Sequence, residues 1–210
     1  MNENLPTGAL VACSIVLFAV LAVWVTLMAV TDDKGTIDEQ LKRLRKSSSI
    51  YRWVFINASL VGPLLVAVVL LLVEGREPHA ADGVATALLI AYLAIITVVY
   101  TTQYAVLPTL LRQKSSAARL LYFGDRDSLP YFGALLAYAI FGVSAVLFSL
   151  PLIEIGALWA AAGWVLMASG VTSVVGFIGY SMRSRFLEEG CGIGGMLMLP
   201  FVVLVVVAAV

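Results

Sequence analysis

The side chains able to do chemistry in this chain are few, and their spacing suits little of it. The single histidine, His79, stands between Glu77 and Asp82 in a polar gap. Bis-histidine haem ligation, an intramembrane Ser-His protease and an HExxH zinc site each need histidines on helices or at their ends, so His79 reads as a solvated loop residue. Cys13 and Cys191 form no CxxC motif, which leaves a thiol–disulfide oxidase unsupported. Two acid pairs, Asp125 with Asp127 and Glu188 with Glu189, have the character to hold Mg²⁺ and a phosphate-bearing substrate. Yet Gly124 to Pro130 is turn chemistry, with Asp127 or Ser128 placed to cap the next helix and Arg126 as a local partner. No cofactor or metal is expected, and the sequence leans away from an enzyme.

The elements that must position these residues are membrane spans. Hydrophobic residues make up 61% of the chain, and its mean hydropathy is +1.01, values foreign to a soluble surface. Apolar runs cover about 8–30, 53–73, 84–106, 131–153, 156–180 and 192–210. Each is near the ~20 residues that cross the hydrocarbon core, and none alternates as a barrel strand does. The expectation is an all-α, polytopic membrane protein: one six-transmembrane-helix bundle. The first run has an acidic leading segment and no Lys or Arg before it, so it reads as a retained span and not a cleaved signal. The last run stops at Val210 with no polar flank, as at an interface or a truncation.

Of thirteen Lys and Arg residues, all but Arg76 fall in the first, third and fifth gaps. The positive-inside rule makes loops 31–52, 107–130 and 181–191 cytoplasmic and puts both termini on the non-cytoplasmic side, in the plasma membrane by preference. In the first gap the acids Asp32, Asp33, Asp38 and Glu39 partly offset the basic residues. There Thr36 and Glu39 read as a capping box that starts an amphipathic segment, 36–46, with Ile37, Leu41 and Leu44 on one side. Those three would dip into the lipid boundary while Lys42, Arg43, Arg45, Lys46, Arg112 and Lys114 meet anionic lipid head groups. Ser47, Ser48 and Ser49 beside these charges are a place where phosphorylation would cancel the attraction.

No Asp, Glu, Lys, Arg or His lies in the central part of any run. That argues against a proton relay, a voltage sensor, a carboxylate-coupled carrier and a retinal Schiff base. The Gly-x-Gly spacing of Gly190, Gly192 and Gly194 opens a helix and follows no strand, so it is not a nucleotide loop. Val174 to Gly179 mimics a potassium filter only faintly, and Ile178 breaks the motif. Packing explains the glycines better. Gly156, Ala160, Gly163 and Gly170 make a small-residue face for close helix approach; Ser169 with Ser173 and Gly133 with Ala137 do likewise.

Uncharged polar residues complete the reading. If the second and third spans are antiparallel neighbours, Asn57 and Ser59 face Thr97, Thr101 and Tyr104 across a neutral polar pocket, while Pro63 and Pro200 mark helix kinks. Tyr51, Trp53, Tyr122 and Tyr131 fit an interfacial aromatic belt. Two functions agree with this. The favoured one is a non-catalytic membrane subunit or scaffold that binds anionic lipid or a partner membrane protein, with a homo-oligomer included. The other is an uncoupled channel or facilitator for a small neutral solute. No nucleic-acid partner is expected.

Overall fold

The computed structural model describes residues 7–31 and 34–210; Glu3, Asp32 and Asp33 lie outside the described residues. It is all-helical. Six helical stretches are long and apolar enough to cross a membrane: Thr7–Ala29, Ser49–Glu74, Asp82–Arg112, Leu129–Ile155, Ala157–Ser181 and Arg185–Ala209. In chain order the helices are α1 (Thr7–Ala29), α2 (Ile37–Lys46), α3 (Ser49–Glu74), α4 (Asp82–Thr101), α5 (Leu107–Arg112), α6 (Ala117–Leu120), α7 (Leu129–Ile155), α8 (Ala157–Ser181), α9 (Arg185–Glu188) and α10 (Gly190–Ala209). Exposed apolar side chains such as Ile15, Leu60, Ile90, Val143, Val171 and Val203 face outward from all six long helices, as a lipid-facing surface requires.

Two boundaries differ from the hydropathy reading. The third span runs on through Arg112, because a π turn at Thr102–Val106 joins α4 to α5 without breaking the helix. Its 31 residues reach about 46 Å at 1.5 Å per residue, well beyond a ~30 Å core. The fourth and fifth spans are separated by one residue, Gly156, whose φ of +149° reverses the chain. An L side chain rarely adopts that conformation. Gly156 is thus the turn between α7 and α8 and does not belong to the packing face assigned to it.

Around the bundle the long helices neighbour one another in the order α1, α3, α4, α7, α8, α10 and back to α1. The tightest part of this ring is α7, α8 and α10. A Cβ on Gly142 would stand 2.5 Å from the Gly170 carbonyl oxygen, and one on Gly163 would stand 3.0 Å from that of Ser149. On its other side α8 meets α10 just as closely: a Cβ on Gly190 would lie 2.5 Å from the Thr172 carbonyl oxygen. Side-chain hydroxyls add bonds to backbone carbonyls across helices, Ser169 to Gly194 and Ser144 to Ala85, both at 2.7 Å. The faces of Gly163, Gly170, Ser169 and Ser173 are therefore covered by α7 and α10 of the same chain, with Ala160 half-buried beside them.

The ends of the bundle differ in charge. The end that carries all the Lys and Arg residues except Arg76 is called here the basic end. At the opposite, far end, Arg76 is buried and bound to Asp82, whose other oxygen accepts the His79 N–H at 2.7 Å. That pairing neutralises Arg76, the one Lys or Arg residue at that end.

Helix α2 lies across the basic end. Thr36 and Glu39 form the reciprocal capping box, with the Thr36 N–H donating to Glu39 Oε2 at 2.8 Å. Its apolar side meets protein: Leu41 is buried, and Ile37 and Leu44, half-buried, pack against the same core. The sequence reading placed these three in the lipid boundary; the helix instead docks on α5, and Gln40 on the buried side accepts the Tyr122 hydroxyl at 2.7 Å.

Two outcomes test this packing. Gly142→Val drives a branched side chain into the α8 backbone and lowers stability by about 1–3 kcal/mol. A clear fall in Tm in detergent is expected, whereas Gly83→Ala, which meets nothing within 4 Å, leaves Tm in place. At α2, the Thr36 backbone N–H, then its hydroxyl, holds the Glu39 carboxyl below the ordinary value of 4.5. A depressed carboxyl contributes order above its ordinary pKa and loses it as pH falls through the folded value. Protection of the Glu39–Arg43 amides, taken relative to their intrinsic exchange rates, should therefore fall as pH drops below 4.5. Thr36→Ala, at a cost of ~1 kcal/mol, should bring that loss of protection to neutral pH.

Candidate functional site

Inside the ring, the half nearest the basic end is not filled. The far half is packed solid by Val68, Leu89, Phe148, Leu166, Phe201 and Val205, each no more than 3% exposed. Towards the basic end Gly176 and Gly190 hold α8 against α10, while α7 meets α8 there through the rings of Phe132, Phe177 and Tyr180. A cavity of about 560 Å³ results, within the range of small-molecule sites.

Its wall is aromatic. Tyr92, Tyr138 and Phe141 stack with ring centroids 5.2–6.5 Å apart, and the Tyr100 and Tyr138 hydroxyls bond to each other. Trp24 and Met28 of α1 and Met198 of α10 supply soft apolar surface opposite. Between α1 and α10 the wall is thin. Gly192 and Gly195 both line the cavity, and a Cβ on either would meet nothing within 4 Å.

The mouth carries the charge. Arg126, from the segment before α7, grips Glu188 of α9 with both branches of its guanidinium: Nη2 to Oε2 at 2.6 Å and Nε to Oε1 at 3.2 Å. The Tyr131 hydroxyl donates to the same Oε1 at 2.5 Å, and the guanidinium sits 5.4 Å from the Tyr180 ring centroid. Hydrogen bonding to Glu188 holds Arg126 above its ordinary pKa. Arg185 and Glu189 complete the rim.

A second polar knot sets the position of this mouth. The π turn points Gln103 into the protein, fully buried. There its Oε1 accepts the Tyr51 hydroxyl at 2.6 Å and the Phe123 N–H at 3.1 Å, and its Nε2 donates to the Leu121 carbonyl at 3.0 Å. One side chain of the third span thus ties the second span to the connection that carries Phe123, Gly124 and Arg126 into the cavity wall.

The residues read as a polar pocket do not converge. Asn57 turns to α1 and donates to the Val20 carbonyl at 2.8 Å. Ser59 bonds within its own helix to Ile56, Thr97 is exposed on the outer surface, and Thr101 and Tyr104 share a 3.3 Å contact with each other. Pro63 and Pro200 are both exposed within α3 and α10. Of the residues assigned to lipid head groups, Arg45 and Arg112 come together beside Arg52. Lys42, Lys46 and Lys114 are separately exposed, and Arg43 donates to the Lys34 carbonyl. Ser128 is the residue that caps α7, and Asp125 pairs with Arg119 at 3.1 Å.

Sequence reasoning passed over Gln103 and the Arg126–Glu188 pair. The first has a signal: Pro108 lacks an N–H to give the carbonyl of Tyr104, so helix irregularity near there is expected. The second, spanning 62 positions, has none. Comparison with protein-family models, with curated proteins and with solved structures gives no match to this chain.

Replacing Gln103 by Leu leaves the Tyr51 hydroxyl, the Phe123 N–H and the Leu121 carbonyl short of a partner at ~1–3 kcal/mol for each group that stays dry. Gln103→Leu should lower Tm and raise hydrogen exchange across 113–128. Unchanged exchange there would show that the mouth does not hang on this residue.

Proposed function

We propose that this protein is an integral membrane binding subunit, without catalysis of its own, that holds a lipophilic small molecule with one polar end in the cavity between its spans. The basic end lies in the cytoplasm in this reading. The observation that carries it is the cavity's one-ended character: an aromatic, apolar interior closed towards the far end, with the only ionic groups at the rim. The molecule's apolar body fits the interior and its polar end meets Arg126, Glu188, Arg185 or Glu189. The side-chain-free stretch at Gly192 and Gly195 gives it a way in from the bilayer.

Binding is favoured over passage because a path across would have to part the packed far half, from Val68 to Phe201. A small molecule is favoured over a partner helix because the small-residue face of α8 is already occupied within the chain. The bias of basic residues, and the neutralisation of Arg76 by Asp82, support the orientation.

A photoactivatable long-chain carboxylic acid, paired with the corresponding amine, tests the reading in the purified protein. Mass spectrometry of the labelled chain should find adducts on Trp24, Tyr138 or Met198. Gly195→Phe, which grows into open space, should cut that labelling about tenfold while Tm holds, as expected when a pocket of this kind is filled. Labelling confined to outward residues such as Ile15 and Val203, or unaffected by Gly195→Phe, would overturn the proposal.

A further inference from the structure

On the other side of α3, at the basic end, lies a separate hollow of about 250 Å³. Three helices meet there. Arg45 comes from the last turn of α2, Arg52 from the first turns of α3, and Arg112 from the end of α5; Ser48 and Tyr104 complete the polar lining. No carboxylate lines the hollow, and among the described residues none of these three arginines pairs with one. Among the described residues the polar side-chain contacts of this lining are with neutral hydroxyls, Arg112 to Thr109 at 3.4 Å and Tyr104 to Thr101 at 3.3 Å.

That arrangement is unusual in its one-signed charge. Elsewhere at the same end arginines find acids, Arg119 with Asp125 and Arg126 with Glu188, yet here three guanidiniums converge from separate elements and repel one another. Ser48 precedes α3 without spending its hydroxyl on a cap, so the first N–H groups of a 26-residue helix are left to complement an anion together with the helix dipole. Guanidinium forks, a free hydroxyl and a helix N-terminus are together the recognition chemistry of a phosphate. The level is that of a membrane surface: Trp53, next to Arg52, is exposed beside the span, as interfacial tryptophans are.

We propose that Arg45, Arg52 and Arg112, with Ser48 and Tyr104, form a discrete site for a phosphate-bearing anion. The site is independent of the central cavity. Its ligand is the phosphate of an anionic lipid or a soluble phosphate. It also differs from a diffuse basic surface, because Lys42, Lys46 and Lys114, equally exposed at this end, lie outside it.

Two arms separate the sources. In the first, native mass spectrometry compares the protein released from phosphatidylcholine bilayers doped with phosphatidate. Arg52→Gln/Arg112→Gln should lose retained phosphatidate about tenfold or more, as loss of charge-assisted hydrogen bonds implies, and Lys42→Gln/Lys114→Gln should retain it. In the second, inorganic pyrophosphate at matched ionic strength is titrated against Tm, and a rise in the unaltered protein that the arginine variant lacks identifies a soluble ligand. Should the double variant not fold, Arg112→Gln alone, at an exposed helix end, reads the same effect. Equal losses in the lysine and arginine variants, or no binding in either arm, would overturn the proposal.

Discussion

Helices already immersed in hydrocarbon gain nothing by exchanging lipid for leucine, so the bundle is held by how closely backbones can approach and by what they bond to when they do. In this chain that approach is concentrated in α7, α8 and α10. Gly142 against Gly170, and Gly190 against Thr172, bring helix axes to a distance that any side chain would prevent. Among the described residues the other three spans approach one another less closely: Gly62 of α3 faces the side chains of Leu93 and Ile96, not a backbone. These three spans close the ring through leucines, valines and aromatics, and a ring with one tight arc and one loose arc cannot be filled equally along its length. The far half closes around Phe201 and Phe148. The basic half does not, and the cavity is the remainder.

The polar groups follow the same division. Within the far half, bonds between spans are single hydroxyls answering single carbonyls, such as Ser144 to Ala85. At the basic end, where the connections are long enough to supply partners, the groups assemble into knots: Gln103 with Tyr51, Leu121 and Phe123, and Glu188 with Arg126 and Tyr131. Membrane interiors penalise an orphaned polar group more than they reward a satisfied one. The polar clusters are therefore gathered at the end whose connections can supply several partners to one side chain.

This division also explains what was legible in the residues. Six spans, the Thr36–Glu39 box and the small residues of the fifth span depend on composition and short-range spacing, which a sequence carries directly. The direction in which a polar residue points depends on which neighbour lies beside it. Asn57 was read as facing the third span, but α1 packs on that flank of α3 and takes its hydrogen bond. Thr97, Thr101 and Tyr104 share one side of an uninterrupted α-helix; the π turn adds a residue to the turn beyond Thr101, so the extrapolated register ends there. Gly156 has the spacing of a packing residue and the φ of a turn, and only the backbone distinguishes them.

The two hollows are not separate accidents of packing, because a single wall divides them. Tyr104 lines the basic pocket, and the next residue inward, Gln103, holds Phe123, which lines the cavity. Tyr51 on the same wall bonds to Gln103 and stacks on Phe55 with centroids 4.8 Å apart, and Phe55 in turn stacks on Phe123 at 5.2 Å. Every hydrogen-bonding atom of the Gln103 amide that touches this wall is fixed by a partner from a different segment. Moving the connection that carries Arg126 would orphan at least one of them at ~1–3 kcal/mol, so the mouth is built as a rigid frame and not as a hinged lid. Adjustment to a ligand is then left to the unbuttressed side, where Gly192 and Gly195 face open space.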